Sequence, residues 1–317
     1  MKLHYPFLFS GLGLAVFLAI AAGNPGPDLP DNPVELGELL FKDPILSGDS
    51  TVSCASCHKP EFAFADNTAK SMGISMAHTF RNTPSIVYMT KRTQFFWDGR
   101  APSLEAQAAG PISNPDEMGS SVALAVSRLQ KSDFYRRAFS AVYDEAPDSV
   151  LMLQAISDFE RSLEAYDSPY DRFLAGDDKA MSESAIRGMI LFYRGSTCGI
   201  DACHSGPDFS QDSIVSIGVD NPEDLGLFRL THSKADMGKF KTPSLRNVAV
   251  TGPYMHDGSV KTLREVVEFY NDFEKLRKST AHERVKFPRP SPLTDAEIDD
   301  IVEFLKALTD NKYLSQI

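Results

Sequence analysis

The sequence predicts a mainly α-helical protein of two domains, and three observations support this prediction. The chain has 317 residues, a length that ordinarily divides into two domains. Apolar residues recur at helical spacing in several separate segments. A pair of cysteines followed directly by histidine occurs once in each half of the chain. We therefore expect two small helical domains, each built around one of these motifs.

The first helix is expected to begin after Asn32. Asparagine is a common N-cap, and Pro33 and Glu35 suit the first helical turn. Three further helices are expected where apolar side chains recur at helical spacing, at residues 121–143, 149–166 and 182–193.

Two capping boxes mark the last two expected helices. Thr262 with Glu265 begins the first, and Thr294 with Glu297 begins the second. The apolar face expected for the first of these helices consists of Leu263, Val266, Val267 and Tyr270. Two long irregular stretches, residues 43–120 and 198–260, lie between the helices, and loops of that length are usually functional.

Residues 1–23 are expected to be a signal peptide. Lys2 precedes an apolar run over residues 7–22, and residues 19–21 resemble a small-residue cleavage site. A retained membrane anchor is the alternative, because the run is close to the minimum length that spans a bilayer. Either interpretation places the body of the chain outside the cytoplasmic membrane, in the periplasm.

Composition and charge exclude some partners. Apolar residues make up 42% of the chain, which is enough for ordinary cores. The formal charge of −11 argues against nucleic acid as a partner and against binding to anionic membrane surfaces.

The two cysteine–histidine motifs are typical of covalent haem attachment. The first is Cys54-Ala-Ser-Cys57-His58, with the usual two residues between the cysteines. The second runs from Cys198 to Cys203 and His204, with two extra residues in the gap. In each motif both thiols can form thioethers with a haem, and the histidine can bind the iron from one side. The motifs use all four cysteines, so we predict two c-type haems and no disulfide.

Other chemistry is open to the same cysteines. Cys54 and Cys57 could form a redox dithiol, but no strand–helix–strand pattern surrounds them. Cys198, Cys203 and His204 could hold zinc together with a fourth ligand. The histidine directly after each pair favours haem, and a haem in each half would replace much of the side-chain core that the irregular stretches lack.

Further motifs flank the haem sites. They are Arg81-Asn82-Thr83-Pro84, residues 96–104, Gln107, Glu117-Met118, residues 242–247 and residues 253–258. Together these motifs resemble the bacterial di-haem cytochrome c peroxidase family, which includes the MauG-type enzymes, from about residue 33 to residue 309. The fold expected is mainly α, with two cytochrome c-like helical domains that each enclose one covalently bound haem. The N-terminal domain is expected at residues 24–168 and the C-terminal domain at residues 169–317.

The resemblance implies a division of labour between the haems. Peroxide would react at the N-terminal haem, on His58, and the C-terminal haem, on His204, would store or relay electrons. Trp97 matches the tryptophan that lies between the two haems and can carry charge. As a large aromatic residue, Trp97 could equally be an ordinary member of the core.

Gln107 and Glu117 match the family's polar pair on the peroxide side of the first haem. Cleavage of peroxide requires a proton to move from one oxygen to the other, and a carboxylate in reach can carry it. An amide can orient the peroxide by hydrogen bonding. Ten residues of continuous helix would not place both side chains on one face, so we expect Gly110-Pro111 to interrupt the helix. Apart from the resemblance, Glu117 would be taken for a surface residue.

The resemblance also implies a calcium ion between the domains. The matching ligands are the side chain of Asn82 and the backbone carbonyls of Thr251 and Pro253, and such oxygen donors suit a hard cation. Alternatively, Asn82 caps a turn.

Three positions depart from the peroxidases of the family. Where many of them carry a second histidine ligand on the first haem, this chain has Ile74, with His78 nearby but out of register. We therefore expect the first haem to be open, as in the MauG-like branch. The long gap between Cys198 and Cys203 is another departure and has no predicted consequence. The remaining departure concerns the second haem.

The second haem is expected to have a tyrosine as its far ligand. The family's methionine position falls on Tyr270, where MauG also has tyrosine. A phenolate favours ferric iron, whereas methionine raises the potential. If Tyr270 is only a core residue, Met255 or Met237 would ligate instead.

The function expected is that of a periplasmic peroxidase. It would reduce hydrogen peroxide with electrons from a small cytochrome c or copper protein. One alternative is a MauG-like oxidase that uses peroxide to oxidise residues of a partner protein, and another is a non-catalytic di-haem electron carrier. A homodimer is compatible with each of these functions.

Overall fold

The computed structural model describes residue 1 and residues 28–195, 203–218, 221–272 and 292–317. The expected signal peptide, beyond Met1, and Cys198 lie outside the described residues. Within the described residues, no helix is both long and apolar enough to cross a membrane. The described chain is mainly helical, as the sequence predicts.

The first half of the chain contributes six α-helices to the described structure. They are α1 (Pro33–Lys42), α2 (Cys54–Cys57), α3 (Leu104–Ser113), α4 (Val122–Lys131), α5 (Asp133–Tyr143) and α6 (Ser149–Arg161). Helix α1 begins as expected, because the Asn32 side chain accepts a hydrogen bond of 3.0 Å from the Glu35 N–H. Short 3₁₀ turns accompany these helices at Pro44–Leu46, Pro60–Phe62 and Ile74–Met76.

The second half contributes five α-helices and one short strand pair to the described structure. The helices are α7 (Pro169–Leu174), α8 (Glu183–Ile190), α9 (Phe228–Thr231), α10 (Leu263–Asn271) and α11 (Asp295–Lys306). A π-helical turn, Leu191–Gly195, follows α8, and 3₁₀ turns lie at Lys234–Asp236, Val248–Val250 and Asn311–Gln316. Strands β1 (Ile214–Val215) and β2 (Phe240–Lys241) pair antiparallel, with Ile214 opposite Lys241. Both predicted capping boxes are present, at the starts of α10 and α11.

Three helix predictions need correction. The helix expected at 121–143 is two helices, because Ser132 ends α4 and its hydroxyl accepts the Tyr135 N–H to begin α5. The helix expected to reach residue 166 ends at Arg161, where the Ser162 hydroxyl donates to the Phe159 carbonyl. The helix expected to reach residue 193 changes to the π-helical turn after Ile190.

Gly110-Pro111 does not interrupt its helix. Helix α3 continues through Pro111 to Ser113, and the chain turns only at Asn114. A proline near the end of a helix removes a single hydrogen bond, and the Asn114 N–H then closes the last turn on the Gly110 and Pro111 carbonyls. Gly110 has a different role, because a Cβ there would lie 2.7 Å from the Phe96 ring.

Two separate sets of buried apolar side chains form the main cores. The first packs α1, α3, α4, α5 and α6 together, and its fully buried members include Leu36, Phe41, Leu129, Phe139, Met152 and Ile156. The second packs the π-helical turn, α8 and α11 with aromatic side chains that include Tyr170, Phe192, Phe209 and Phe304. Helices pass unusually close in both, because Gly37 lies against the Ala155 carbonyl and Gly188 against the Asp300 carbonyl.

Buried polar contacts join the two halves of the chain. Arg81 donates two hydrogen bonds to Asp224, at 2.6 and 2.8 Å, and a third to Asp98 at 2.7 Å. The Tyr88 hydroxyl donates to the Asp310 carboxylate at 2.6 Å. Two-bond arginine–carboxylate pairs fix orientation as well as distance. The halves are therefore held in a defined arrangement around the space between them.

Candidate active site

A cavity of about 800 Å³ lies between the two halves of the chain. Its volume is near the upper end of the range for small-molecule and cofactor sites, which is about 300–1,000 Å³. Both predicted haem-attachment motifs contribute to its wall through Cys54, Cys57, His58, Cys203 and His204. One continuous space therefore reaches both sites that the sequence singles out.

Each motif histidine has the Nδ1 atom of its ring beside a backbone carbonyl. The Nδ1 atom of His58 lies 2.8 Å from the Phe64 carbonyl, and that of His204 lies 3.0 Å from the Phe209 carbonyl. A carbonyl can only accept, so Nδ1 carries the proton and Nε2 keeps the lone pair that a metal requires. Burial lowers the pKa of His58 below its ordinary value and lowers the pKa of His204 to about 4. Both rings are therefore neutral near pH 7, as iron ligation requires.

The surroundings of the two histidines also share a feature that the sequence analysis missed. Backbone carbonyls of Pro84 and Pro243 act on the rings of His58 and His204, respectively. Each proline directly follows a threonine, and the repeated Thr-Pro pair is the signal in the sequence that could have indicated this arrangement. Both histidines thus have equivalent supports in the two halves.

The thiols of the first motif lie in the cavity wall and have raised pKa values. Burial raises the pKa of Cys54 to about 12 and also raises the pKa of Cys57. A redox dithiol requires a lowered thiol pKa, so these values disfavour that alternative. No group of three or more His, Cys, Asp or Glu residues arranged to hold a metal ion occurs among the described residues, which include the whole first motif. Haem attachment stays the prediction for Cys54 and Cys57.

Donor groups for the acidic edges of a haem also face the cavity. The Nε2 atom of His256 is buried without a hydrogen-bond partner, and the ring stacks on Phe240 with centroids 3.8 Å apart. Lys241 is partly buried, its amino group lies 3.9 Å from the Asp212 carboxylate, and desolvation lowers its pKa to about 8. Haem propionates would satisfy such groups. The residues of the cavity therefore fit two c-type haems.

The predicted polar pair, Gln107 and Glu117, reaches the same cavity. Gln107 is on α3, and Glu117 follows the turn at Asn114, whose side-chain amide donates to the Glu117 carboxylate at 2.9 Å. Burial raises the Glu117 pKa above its ordinary value, which favours a carboxyl that can hold and release a proton. The turn after Ser113, and not an interruption at Gly110-Pro111, brings the two side chains together.

A hairpin of residues 71–79 supports the backbone of Glu117. Met72 and His78 pair across it, and the Ile74 N–H donates to the Glu117 carbonyl at 2.7 Å. A Cβ on Gly73 would lie 2.1 Å from the Asp116 carbonyl, so this contact requires glycine. Neither Ile74 nor His78 lines the cavity, and His78 is exposed.

Trp97 lines the cavity and contacts both halves of the chain. Its indole N–H donates to the Asn82 carbonyl at 2.8 Å, and its own carbonyl accepts the Lys241 N–H at 2.7 Å. The side chain lines the cavity and is only partly buried. Its position suits a group that carries charge between the two haem sites.

The candidates for the far ligand of the second haem differ in location. Tyr270 lines the cavity from α10, on the side of Val266, while Leu263 and Val267 of the same helix are buried in the core. Met255 also lines the cavity, whereas Met237 is 39% exposed and lies outside its wall. This arrangement favours Tyr270 or Met255 over Met237.

The three residues matched to calcium also meet at the cavity. Asn82, Thr251 and Pro253 all line it. The Asn82 amide nitrogen donates to the carbonyls of Thr68, at 3.1 Å, and Ala69, at 3.3 Å. These two hydrogen bonds use the amide nitrogen of Asn82 and not its oxygen.

The sequence analysis also missed a buried glutamate in the cavity wall. Glu160, near the end of α6, is 4% exposed and lines the cavity together with Ile156. It lies four residues after Ile156, on the apolar face of the helix, and a glutamate in that position is the signal that was missed.

Comparison with known proteins identifies relatives over most of the chain. A family model described as di-haem cytochrome c peroxidase matches residues 31–179. The methylamine utilization protein MauG of Methylorubrum extorquens is 37% identical over 281 residues, covering 87% of this chain and 77% of the relative. Cytochrome c551 peroxidase of Nitrosomonas europaea is 34% identical, with 87% and 79% covered.

A solved structure is also similar. It is that of a MauG-like protein associated with microbial copper homeostasis, with a TM-score of 0.77, 34% identity, and coverage of 90% of this chain and 92% of the other. The fold, the cavity between the halves and these relatives agree, and the chain belongs to the di-haem cytochrome c peroxidase family, whose members are oxidoreductases.

Proposed function

We propose that this protein is a periplasmic peroxidase that reduces hydrogen peroxide to water with electrons from a small cytochrome c or copper protein. The proposal assigns the peroxide reaction to a haem held by Cys54, Cys57 and His58. A second haem, held by Cys198, Cys203 and His204, would receive the donor's electrons. The two cytochrome c-like domains would comprise residues 24–168 and 169–317.

The observation that carries the proposal is the composition of the cavity around His58. A polar pair suited to peroxide, Gln107 and Glu117, faces it, and the position expected for a second histidine ligand holds Ile74, outside the wall. The histidines that line the cavity in the described part of the chain are His58, His204 and His256. Peroxide could therefore reach the first haem without prior departure of a ligand from the hairpin.

The chain's own residues have defined tasks in this reaction. A bound haem supplies the iron at which the oxygen–oxygen bond of peroxide breaks. Gln107 would orient the peroxide by donating a hydrogen bond, and Glu117 would move a proton from one peroxide oxygen to the other. Asn114 holds the Glu117 carboxylate, and Trp97 would pass electrons between the two haem sites.

Location and calcium are further parts of the proposal. Export by the segment at residues 1–23 would place the protein in the periplasm, where covalent haem attachment occurs, and a retained anchor would leave the body on the same side. Asn82, Thr251 and Pro253 would bind calcium between the halves, where oxygen donors meet at the cavity. A homodimer is compatible with this arrangement.

A second candidate function is that of a MauG-like oxidase. The position of Tyr270 in the cavity wall favours it, because a phenolate ligand would lower the potential of the second haem and disfavour storage of reducing electrons. Peroxide would then oxidise residues of a partner protein. A non-catalytic electron carrier, the third candidate, has no use for Gln107 and Glu117 in the cavity.

One experiment distinguishes these functions. Peroxide is added to the purified ferric protein, with and without a reduced small cytochrome c, and donor oxidation is followed spectroscopically. A peroxidase oxidises two donor molecules for each peroxide, because peroxide reduction takes two electrons. A long-lived oxidised form that persists without consuming donor would support the MauG-like function and contradict the peroxidase. Absence of any reaction with peroxide would support the carrier.

A further inference from the structure

Glu160 has a buried carboxyl group whose role the proposed function does not explain. Its Oε2 atom is buried without a hydrogen-bond partner, and the side chain lines the cavity. An ionised carboxylate is costly to bury when nothing pairs with it, so the group is expected to be neutral or to face a partner inside the cavity.

Glu160 of α6 lines the cavity, whereas the next residue, Arg161, does not. Ile156 and Glu160 are four residues apart and line the cavity together. Arg161 instead pairs with Glu105 of α3 and with Asp158 at 3.0 Å. Arg161 is thus engaged elsewhere and forms no ion pair with Glu160.

Glu160 lines the same cavity as Glu117 and as Cys54 of the first motif. Both carboxyl groups act electrostatically on the Cys54 thiol of α2, which is part of the first haem-attachment motif. The charged groups that act on Glu160 itself are Arg161 on its own helix and Glu105 on α3. Burial outweighs both and raises the Glu160 pKa to about 8, so the carboxyl keeps its proton at neutral pH.

We propose that Glu160 is the proton store of the peroxide site, a buried acid that delivers one of the protons consumed in peroxide reduction. This inference rests on the proposed function. Reduction of hydrogen peroxide breaks the oxygen–oxygen bond, takes two electrons from the donor protein and two protons, and yields two waters. Glu117 moves a proton that the peroxide already carries. Glu160 releases its own proton into the cavity toward the departing oxygen and regains one from solvent.

Two substitutions separate a proton store from a structural acid. Glu160→Gln keeps the shape and the hydrogen-bonding capacity but has no proton to transfer. Glu160→Asp keeps the acid on a side chain one carbon shorter and should restore part of the function. Asp158→Asn, on the opposite side of the same helix, is the matched control, because Asp158 contacts Arg161 and does not line the cavity.

The first measurement is infrared difference spectroscopy of the haem-loaded protein during a pH titration. The carbonyl stretch of a protonated carboxyl should be present at neutral pH and disappear as the pH rises through about 8. It should be absent from Glu160→Gln and retained in Glu160→Asp and Asp158→Asn. A wild-type protein without a band that Glu160→Gln removes would overturn the proposal.

The second measurement is proton uptake during a single turnover, followed with a pH indicator dye. Glu160→Gln should slow uptake by about 100-fold, the lower edge of what loss of an acid–base group costs. Haem content and donor binding should be unchanged. Wild-type uptake in Glu160→Gln would contradict the role of Glu160 while leaving the peroxidase function intact. A wild-type protein that does not turn over peroxide would contradict the peroxidase function itself, and the infrared titration would still report the protonation of Glu160.

Discussion

At the scale of single residues, the proposed function depends on three side chains that line the cavity from different elements. Gln107 comes from α3, Glu117 from the turn that follows it, and Tyr270 from α10. Each is a residue type with an ordinary structural role, and its position in the wall of one cavity indicates the chemistry. Substitutions at these positions should therefore change reactivity far more than stability.

Glu117→Gln should slow the reaction with peroxide by about 100- to 10,000-fold, the usual effect of losing a general acid–base group. The amide retains the size of the carboxyl, so peroxide binding and haem content should be preserved. Stopped-flow kinetics of the ferric protein measure the rate, and Glu38→Gln on the exposed face of α1 is the control. Unchanged kinetics would show that Glu117 takes no part in the reaction.

Tyr270→Met should raise the reduction potential of the second haem, because a neutral thioether would replace an anionic phenolate. Tyr270→Phe should change the spin state of that haem. A spectroelectrochemical titration gives the potential of each haem separately. If Tyr270→Phe leaves the spectrum and the potential as in the wild type, Met255, which also faces the cavity, becomes the ligand to test.

Glu160 also makes stability depend on pH. Its ordinary pKa of 4.5 applies to the unfolded chain, and the pKa is about 8 when folded, so the folded state binds the extra proton between these values. Stability from this group is fully present below pH 4.5 and is lost as the pH rises through about 8. The melting temperature of Glu160→Gln, relative to that of the wild type, should therefore rise between pH 5 and pH 9. Parallel pH profiles for the two proteins would contradict the raised pKa.

At the scale of elements, the hairpin of residues 71–79 supports the turn that carries Glu117. Gly73 lies so close to the Asp116 carbonyl that a Cβ would meet it at 2.1 Å, and the next residue, Ile74, donates to the Glu117 carbonyl. The hairpin consequently sets the position of Glu117 without itself reaching the cavity.

Gly73→Ala should displace Glu117 and reduce the rate of the peroxide reaction in the folded protein. Gly188→Ala is the matched control, because its Cβ would meet the Asp300 carbonyl at 1.8 Å, in the helix pair α8 and α11 far along the chain from Glu117. Both variants should lose stability, but only Gly73→Ala should change the rate per folded, haem-loaded molecule. Equal rates for the two variants would contradict the supporting role of the hairpin.

The elements show what the sequence could and could not predict. Capping chemistry is local, so Asn32, Thr262 and Thr294 indicated the helix starts correctly. Apolar spacing continues across Ser132, and the division of that segment into two helices depends on a side-chain hydrogen bond that spacing does not report. Pro111 was expected to end its helix, but a proline one turn from the end removes too little to do so.

Prediction of the site from the sequence also fails where a feature depends on residues that are distant in the chain. The motif of Cys54, Cys57 and His58 was recognisable because its spacing is local. The buried position of Glu160 depends on tertiary packing, and glutamate is ordinarily exposed. The pairing of His58 with the Phe64 carbonyl is likewise visible only in the fold.

At the scale of the whole molecule, the contacts between the halves define the shared cavity. Arg81 is bound by Asp98 and Asp224, and Asp310 accepts from both Tyr88 and the Asn247 amide at 2.8 Å. Loss of one partner from such a buried ion pair costs roughly 3–5 kcal/mol, because the other charge is left uncompensated. These contacts fix the distance between the two proposed haem sites. Trp97 would carry electrons across that distance.

The central claim is that the chain holds two haems in different states, one open on His58 and one closed by His204 and Tyr270. Electron paramagnetic resonance of the resting ferric protein tests it most directly. The account predicts one high-spin and one low-spin signal in equal amounts. Two low-spin signals would contradict an open first haem, and a single signal that accounts for all the iron would contradict the division of labour between the two sites.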